Sequence, residues 1–449
     1  MPRKLRPFIA QLLGYHSPFA VNRSITRPRD VLIYYAALVS KTGPHPVIQD
    51  KAAALNTLHA LFKERGIRSE SLGSNWWSRF AQVITLSDQD GEQIQHELRK
   101  DIESISVTLM SWWELLSIYN LCLKFGLFNV AYGFRLKARE TMLIDLQQGK
   151  VKPNSYHHLK ALGTLLEMRN WSLLKIEIDK IGAWHSEDKY LFEFLYAIAS
   201  DPAKLEELRA ASIKSGLDRN FFNFNSNRTI AYVGPAKTEN QDGLEIEKFD
   251  VVVRANHKYR KDAINFLVKG SRCEISYYNG LQSRHLASVS EALPAEIRFA
   301  NAVETNFQYL KKLPKQPLLQ LRTPRNHRSL LMQGSFHSMP NAILDLLKCY
   351  PKKIKIFHAD LMLTVSRFEG YKAHAEKEAE HARIFIDTMK NHDPVAQFSF
   401  LEIAYKSGLL EGDSMFQRVM ELGEEKYMQA LQAVYGNFAR VGLTPLVVK

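Results

Sequence analysis

Cysteine is scarce: Cys122, Cys273 and Cys349 are the only three in 449 residues. They are too few and too scattered for a disulfide framework or a zinc cluster, which predicts a reducing compartment. Long apolar runs are missing as well. No uninterrupted apolar segment approaches the roughly 20 residues that a spanning helix requires, so no transmembrane helix is expected. The leading stretch "MPRKLRPFIAQLLGYHSPFAVNRSITRPRD" sets Arg3, Lys4, Arg6, Arg23, Arg27 and Arg29 against the single acid Asp30. Polar residues and prolines interrupt its apolar run, so it does not read as a signal peptide. The expectation is a cytoplasmic protein, with its basic N-terminus either a solvated arm or a peripheral dock on the inner membrane.

Two motifs are also lacking. "IAYVGPAKTENQDGLEIEKFDVVVRANHKYRK" opens as a strand running into Gly234, yet Pro235-Ala236-Lys237 follow and the next glycine is Gly243. A dinucleotide fingerprint needs closely spaced glycines where the pyrophosphate meets backbone, so that reading is weak. No Asp-x-Asp stands at a strand end in the C-terminal half, and Asp88-Gln89-Asp90 reads as a polar turn before Gly91. No metal site is expected.

What is present is a large, basic, globular chain. It is 45% hydrophobic, ample for two or three buried cores, and carries a formal charge of +13. That charge predicts an anionic partner without choosing among nucleic acid, a membrane face and a phosphorylated or carboxylated small molecule.

Residues from about 30 to 215 read as helix after helix, with breaks at "GKVKPNS" and "SEDK". "LCLKFGLFNVAYGFRLKA" and "TLLEMRNWSLLKIEIDKI" align as two degenerate helical hairpins, which fits a helical-repeat domain or an irregular bundle. Trp112, Trp113 and Trp171 are read as packing residues. At "SGLDRNFFNFNSNRTI" the periodicity changes. Strands are expected at "TIAYVG", "DVVVRAN", "CEISYYN", "IRFANAV", "PLLQLR" and "IKIFHAD", with helices at "PNAILDLLKCY" and "GYKAHAEKEAEHARIFIDTMK". Alternating strands and helices predict an α/β, Rossmann-like, mostly parallel sheet over 226–449, preceded by an all-α domain over 1–220. Ligands would gather beyond the carboxyl ends of the strands, near Gly234, Asn256, Asn279 and Asp360.

Taken in order, Val233-Gly234, Asp250, Arg254-Ala255-Asn256 and Gly270-Ser271 resemble the long sialylmotif of the sialyltransferases of glycosyltransferase family 29. "GSFHSMPNAILDLLKCYPKKIKIFHADL" is similar to the short motif, with Ser335 or Ser338 as the matching serine, and "HDPVAQ" resembles the very short motif, His-x4-Glu. The resemblance covers about residues 228–412. Three departures stand out: Pro235 in place of Asn, Gln397 in place of Glu, and Arg228-Thr229 in place of the cysteine that would partner Cys349. The missing disulfide partner fits a cytosolic, bacterial-type enzyme, and the departures leave the donor sugar open.

The resemblance implies a metal-independent, inverting transferase that moves a CMP-activated keto-sugar acid, sialic acid or Kdo, onto a glycan acceptor of a bacterial surface polysaccharide. A hydroxyl must lose its proton as CMP departs, work suited to a histidine near its unperturbed pKa of about 6.5. His392 is the candidate base and His374 the candidate phosphate partner, with His381 and His358 as alternatives for the base. Donor contacts fall on Gly234, Asn256, Ser271, Asn279, Ser335 and Ser338. Asp250 is read as structural, bonding turn amides, and Arg254 either as its ion-pair partner or as a contact for an anion. The run "KKLPKQPLLQLRTPRNHRSL" holds Lys311, Lys312, Lys315, Arg322, Arg325 and Arg328 without an acid, either a solvated loop or an electropositive rim. It lacks the aromatic interleaving of single-strand readers, so nucleic acid is not expected. The competing class is a non-catalytic helical-repeat scaffold that binds a glycan or a protein.

Overall fold

The computed structural model describes residues 68–83, 88–211, 216–257, 266–290, 292–368, 382, 385–386, 388–389 and 391–441. Helices come first: α1 (Gly73–Val83), α2 (Asp88–Ser104), α3 (Trp112–Lys124), α4 (Phe128–Gln147), α5 (Tyr156–Glu167), α6 (Trp171–Ile178), α7 (Ser186–Ser200), α8 (Pro202–Ala211) and α9 (Gly216–Asn225). The two expected hairpins are α3–α4, turning at Gly126 (φ 73°), and α5–α6, turning at Arg169 (φ 54°). Trp112, Trp113 and Trp171 pack against the core as expected. Two local expectations fail. "SEDK" opens α7 instead of breaking the chain, its Glu187 and Asp188 lying in the first turn, where negative charge meets the positive end of the helix dipole. Asp88-Gln89-Asp90 likewise begins α2 and is not a turn.

The strands are β1 (Thr229–Val233), β2 (Val251–Ala255), β3 (Ile275–Tyr278), β4 (Phe299–Ala302), β5 (Gln320–Arg322), β6 (Lys353–Phe357) and β7 (Leu410–Gly412). Between and after them run α10 (Gly243–Ile246), α11 (Phe266–Lys269), α12 (Gly280–Val289), α13 (Glu304–Leu310), α14 (Ser338–Leu347), α15 (Pro394–Lys406), α16 (Ser414–Glu421) and α17 (Gly423–Val441). All six pairings are parallel and the order is β5-β4-β3-β2-β1-β6-β7. The chain winds outward from β1 to β5, then crosses to the other side for β6 and β7. The direction reverses between β1 and β6, and such a switch point leaves a crevice at the carboxyl ends. Six strands stand where the sequence puts them; β7 was not expected. The helix expected over 370–390 lies largely outside the described residues.

Period-2 alternation in the strands sorts the two sheet faces. Ile230, Tyr232, Val251, Val253, Ile275, Tyr277, Ile354 and Ile356 join one cluster, while Ala231, Val233, Val252 and Phe357 join another with Ile246 of α10. The first cluster also contains Trp76, Tyr119, Phe134 and Phe192 of the helical half. The element type therefore changes at the expected boundary near 226, while the apolar core runs through it. Among the described residues, no helix is long and apolar enough to cross a membrane.

Candidate active site

A cavity of about 760 Å³ opens at the carboxyl ends of the strands. Pro235, Ala255, Asn279, Glu304, Thr323 and Asp360 line it from β1 through β6 in turn. The first residues of α12, α14 and α15 also reach its wall, through Gly280, Ser338 and Pro394. Asn279 caps α12 and Asp393 caps α15, whereas α14 has no side-chain cap, so its first amides and the positive end of its dipole favour an anion. Arg284 and Arg328 add positive charge to the same lining, while Arg325 pairs with Glu187 and Arg367 lies 3.7 Å from Asp360.

The turn before α14 and the turn before α15 lock together on one wall. Ser335 N and Oγ both donate to Asn391 O, at 2.7 and 3.1 Å. Gln397 Nε2 donates to Ser335 O at 3.1 Å while its Oε1 accepts from His337 N at 2.9 Å. A glutamate could not donate to that carbonyl, which explains why an amide stands at this position. His392 Nδ1 is 2.9 Å from Ser335 O. A carbonyl only accepts, so the neutral ring carries its proton on Nδ1. His392 lines the cavity, and His337 packs on it with ring centroids 4.2 Å apart.

Behind His392 lies a buried charge network. Asp393 caps α15 by accepting Val395 N at 3.0 Å and Ala396 N at 3.4 Å. Its carboxylate also accepts Tyr119 Oη at 2.7 Å and pairs with Arg135 at 2.5 Å. Arg135 bridges on to Glu167 at 2.6 Å, and Arg139 links Glu167 to Glu424. Burial, then the neighbouring Asp393 carboxylate, pushes the Tyr119 phenol well above its usual range. Lys160 is also buried and donates to Arg328 O and Leu331 O at 2.6 and 2.8 Å. Burial, then Arg328, lowers its pKa to about 7. The helical half thus holds both the segment after His392 and the loop that carries Arg328. No local motif announces these residues, because their partners lie far away in sequence.

The other predicted residues divide. Ser335, Ser338, Asn279 and His392 come together in the cavity lining. Asn279 also caps α12, its Oδ1 accepting Gln282 N at 2.9 Å. Asn256 has the left-handed φ of 56° and its Oδ1 accepts Asn279 N at 3.0 Å. It is a turn brace beside the cavity, with Ala255 in the lining instead. Gly234 permits close approach of β1 to β6, since a Cβ there would sit 2.3 Å from His358 O. Ser271 does not join the site. It precedes β3 at the amino end of the sheet, where its amide donates to Glu247 at 2.5 Å. His374 and His381 lie outside the described residues. His358 is fully buried away from the lining, and burial, opposed by Asp242, lowers its pKa.

Two charge readings are corrected. Asp250 is structural as expected, accepting from Thr229 N and Oγ1 at 2.8 Å, but Arg254 donates to Arg272 O and Lys269 O, not to Asp250. The basic run is not one rim. Arg325 and Arg328 line the cavity, whereas Arg322 is buried against Asp345 at 3.0 Å and lies 3.5 Å over the Phe221 ring. The three cysteines are buried and none is in a disulfide.

Comparison with protein-family models, curated proteins and solved structures found no match. Function is therefore argued from the site itself.

Proposed function

We propose that the cavity binds a CMP-linked sugar acid and that the protein is an inverting, sialyltransferase-like transferase acting on a glycan. The reading treats 226–449 as a Rossmann-like catalytic domain and the helices before it as an accessory domain that orients the acceptor. The observation that carries it is the joining of the Ser335–Ser338 turn to the His392–Gln397 turn at the switch-point cavity. These are the two segments that resemble the short and very short sialylmotifs, and they are far apart in sequence.

The chemistry follows from the parts. The acceptor hydroxyl passes its proton to His392 Nε2 as its oxygen bonds the anomeric carbon. The bond from that carbon to the phosphate oxygen breaks, and CMP leaves with the electron pair. The N-terminus of α14 at Ser338, together with the cavity arginines, supplies positive potential for the departing phosphate. From the resemblance, His374 is proposed as a further phosphate partner, and no step is assigned to a metal ion.

Incubation with CMP-Neu5Ac and with CMP-Kdo separately, following CMP release, tests the reading and separates the donors. Release from one of them that increases with added glycan acceptor is the expected result. No release from either, and no thermal stabilisation by CMP, would refute it and leave the scaffold reading.

A further inference from the structure

Three side chains from three separate segments converge behind the cavity. Asp242 stands just before α10, His358 just after β6, and Asp413 between β7 and α16. One ligand-capable atom from each lies within 4.8 Å of the other two. His358 Nε2 is 3.0 Å from Asp242 Oδ2. None of the three lines the cavity.

The charge balance of this cluster is incomplete. His358 and Asp413 are buried, and the Asp242 side chain is 23% exposed. Among the described residues, no lysine or arginine pairs with either carboxylate, and His358 can offset at most one of the two charges. The hydrogen bonding leaves capacity for a ligand. Asp413 accepts His358 N at 2.7 Å through Oδ2 and Phe416 N at 2.8 Å through Oδ1, so each oxygen retains a lone pair. Asp242 heads α10 yet accepts no amide of that helix, turning to His358 instead. His358 Nδ1 has no hydrogen-bond partner although the side chain is wholly enclosed.

From this we infer that Asp242, His358 and Asp413 form a site for a divalent transition-metal ion, Zn²⁺ foremost. One imidazole nitrogen with two carboxylates is a borderline donor set that suits Zn²⁺, whereas Mg²⁺ and Ca²⁺ favour oxygen alone. Ligands at about 2.0–2.2 Å from zinc lie roughly 3.3 Å apart at tetrahedral angles, so the 3.0 Å separation of Nε2 and Oδ2 needs little adjustment, while the Asp413 oxygen, within 4.8 Å of both, would move inward on binding. The exposed edge of Asp242 provides the entry. Such an ion would tie the β1–β2 connection, the end of β6 and the β7–α16 turn together beneath the switch point. Its role is structural, and water completes the coordination.

The test uses full-length, tag-free protein stripped with chelator and then titrated with Zn²⁺, Mg²⁺ and Ca²⁺ by calorimetry, with bound metal counted by elemental analysis. The expected result is one equivalent of Zn²⁺, a rise in Tm, and no comparable Mg²⁺ or Ca²⁺ binding. Asp242→Asn and His358→Gln are each expected to weaken Zn²⁺ binding at least about tenfold. Asp242 is partly exposed, so its variant carries the test if the His358 variant does not fold. Absence of saturable Zn²⁺ binding, or wild-type binding by Asp242→Asn, would overturn the inference, the latter marking adventitious surface sites.

Discussion

Replacing Gln397 with glutamate, the residue the sialylmotif resemblance places there, should damage this protein, and the damage should depend on pH. Gln397 is 5% exposed, with its Nε2 donating to Ser335 O at 3.1 Å and its Oε1 accepting from His337 N at 2.9 Å. Glutamate keeps the second bond and turns the first into two facing acceptors. The lost hydrogen bond costs about 0.5–1.5 kcal/mol, and an acceptor buried without its donor about 1–3 kcal/mol. A deficit of about 2–4 kcal/mol at pH 8 is expected. Protonating the carboxyl restores a donor, so the folded state holds that proton more tightly than the unfolded chain, where the pKa is about 4.3. Between those two pKa values the folded state binds more protons, so stability falls as pH rises. The gap between wild type and Gln397→Glu should therefore open above about pH 4.3 at up to roughly 1.4 kcal/mol per pH unit, and then level off. Urea unfolding of both proteins at pH 5 and pH 8 measures it. Gln397→Met, which loses both bonds without adding charge, should show a deficit that does not change with pH. A Glu variant as stable as wild type at pH 8, or equally weakened at both pH values, would refute the argument.

Three other outcomes follow from the geometry. Arg135→Met leaves the buried Asp393 carboxylate without its cation, while Glu167 keeps Arg139, and should cost about 3–5 kcal/mol in urea unfolding. Lys160 has a folded pKa of about 7 against its higher unfolded value, so the unfolded chain binds the extra proton between them and wild-type stability should rise with pH from about 7 to 10. Lys160→Met should flatten that rise when Tm is measured across the window. Limited proteolysis is expected to cut near the 215–228 boundary, but the shared core should keep the two pieces together on gel filtration. Fragments that separate would mean that the shared contacts are weak.

Strand positions were legible because each of the six expected strands is a short apolar run between turn signals, and burial on both faces of a parallel sheet demands that composition. β7 is Leu-Glu-Gly, an edge strand with its central residue exposed. Its pairing with β6 creates it, and no local pattern reports that pairing. The histidine wall was partly legible, since the sialylmotif resemblance singled out Ser335, Ser338 and His392. The bridge made by Gln397 was not legible, and the same residue read as a departure. Arg254 and Arg322 were misread for one reason: a buried arginine chooses partners by fold. Arg322 found Asp345, Asn301 and the Phe221 ring, and Arg254 found two carbonyls. The continuous core between the two halves was equally hidden, because periodicity reports which face is apolar and not what covers it.

The central claim is that His392 takes a proton from the acceptor while CMP is held elsewhere in the cavity. The direct measurement is turnover of His392→Ala with the preferred CMP-sugar, alongside its affinity for CMP by calorimetry. The account predicts nearly unchanged CMP affinity and turnover lowered by about 10²–10⁴-fold, the usual contribution of a positioned acid–base group. Full turnover by His392→Ala at neutral pH would contradict it.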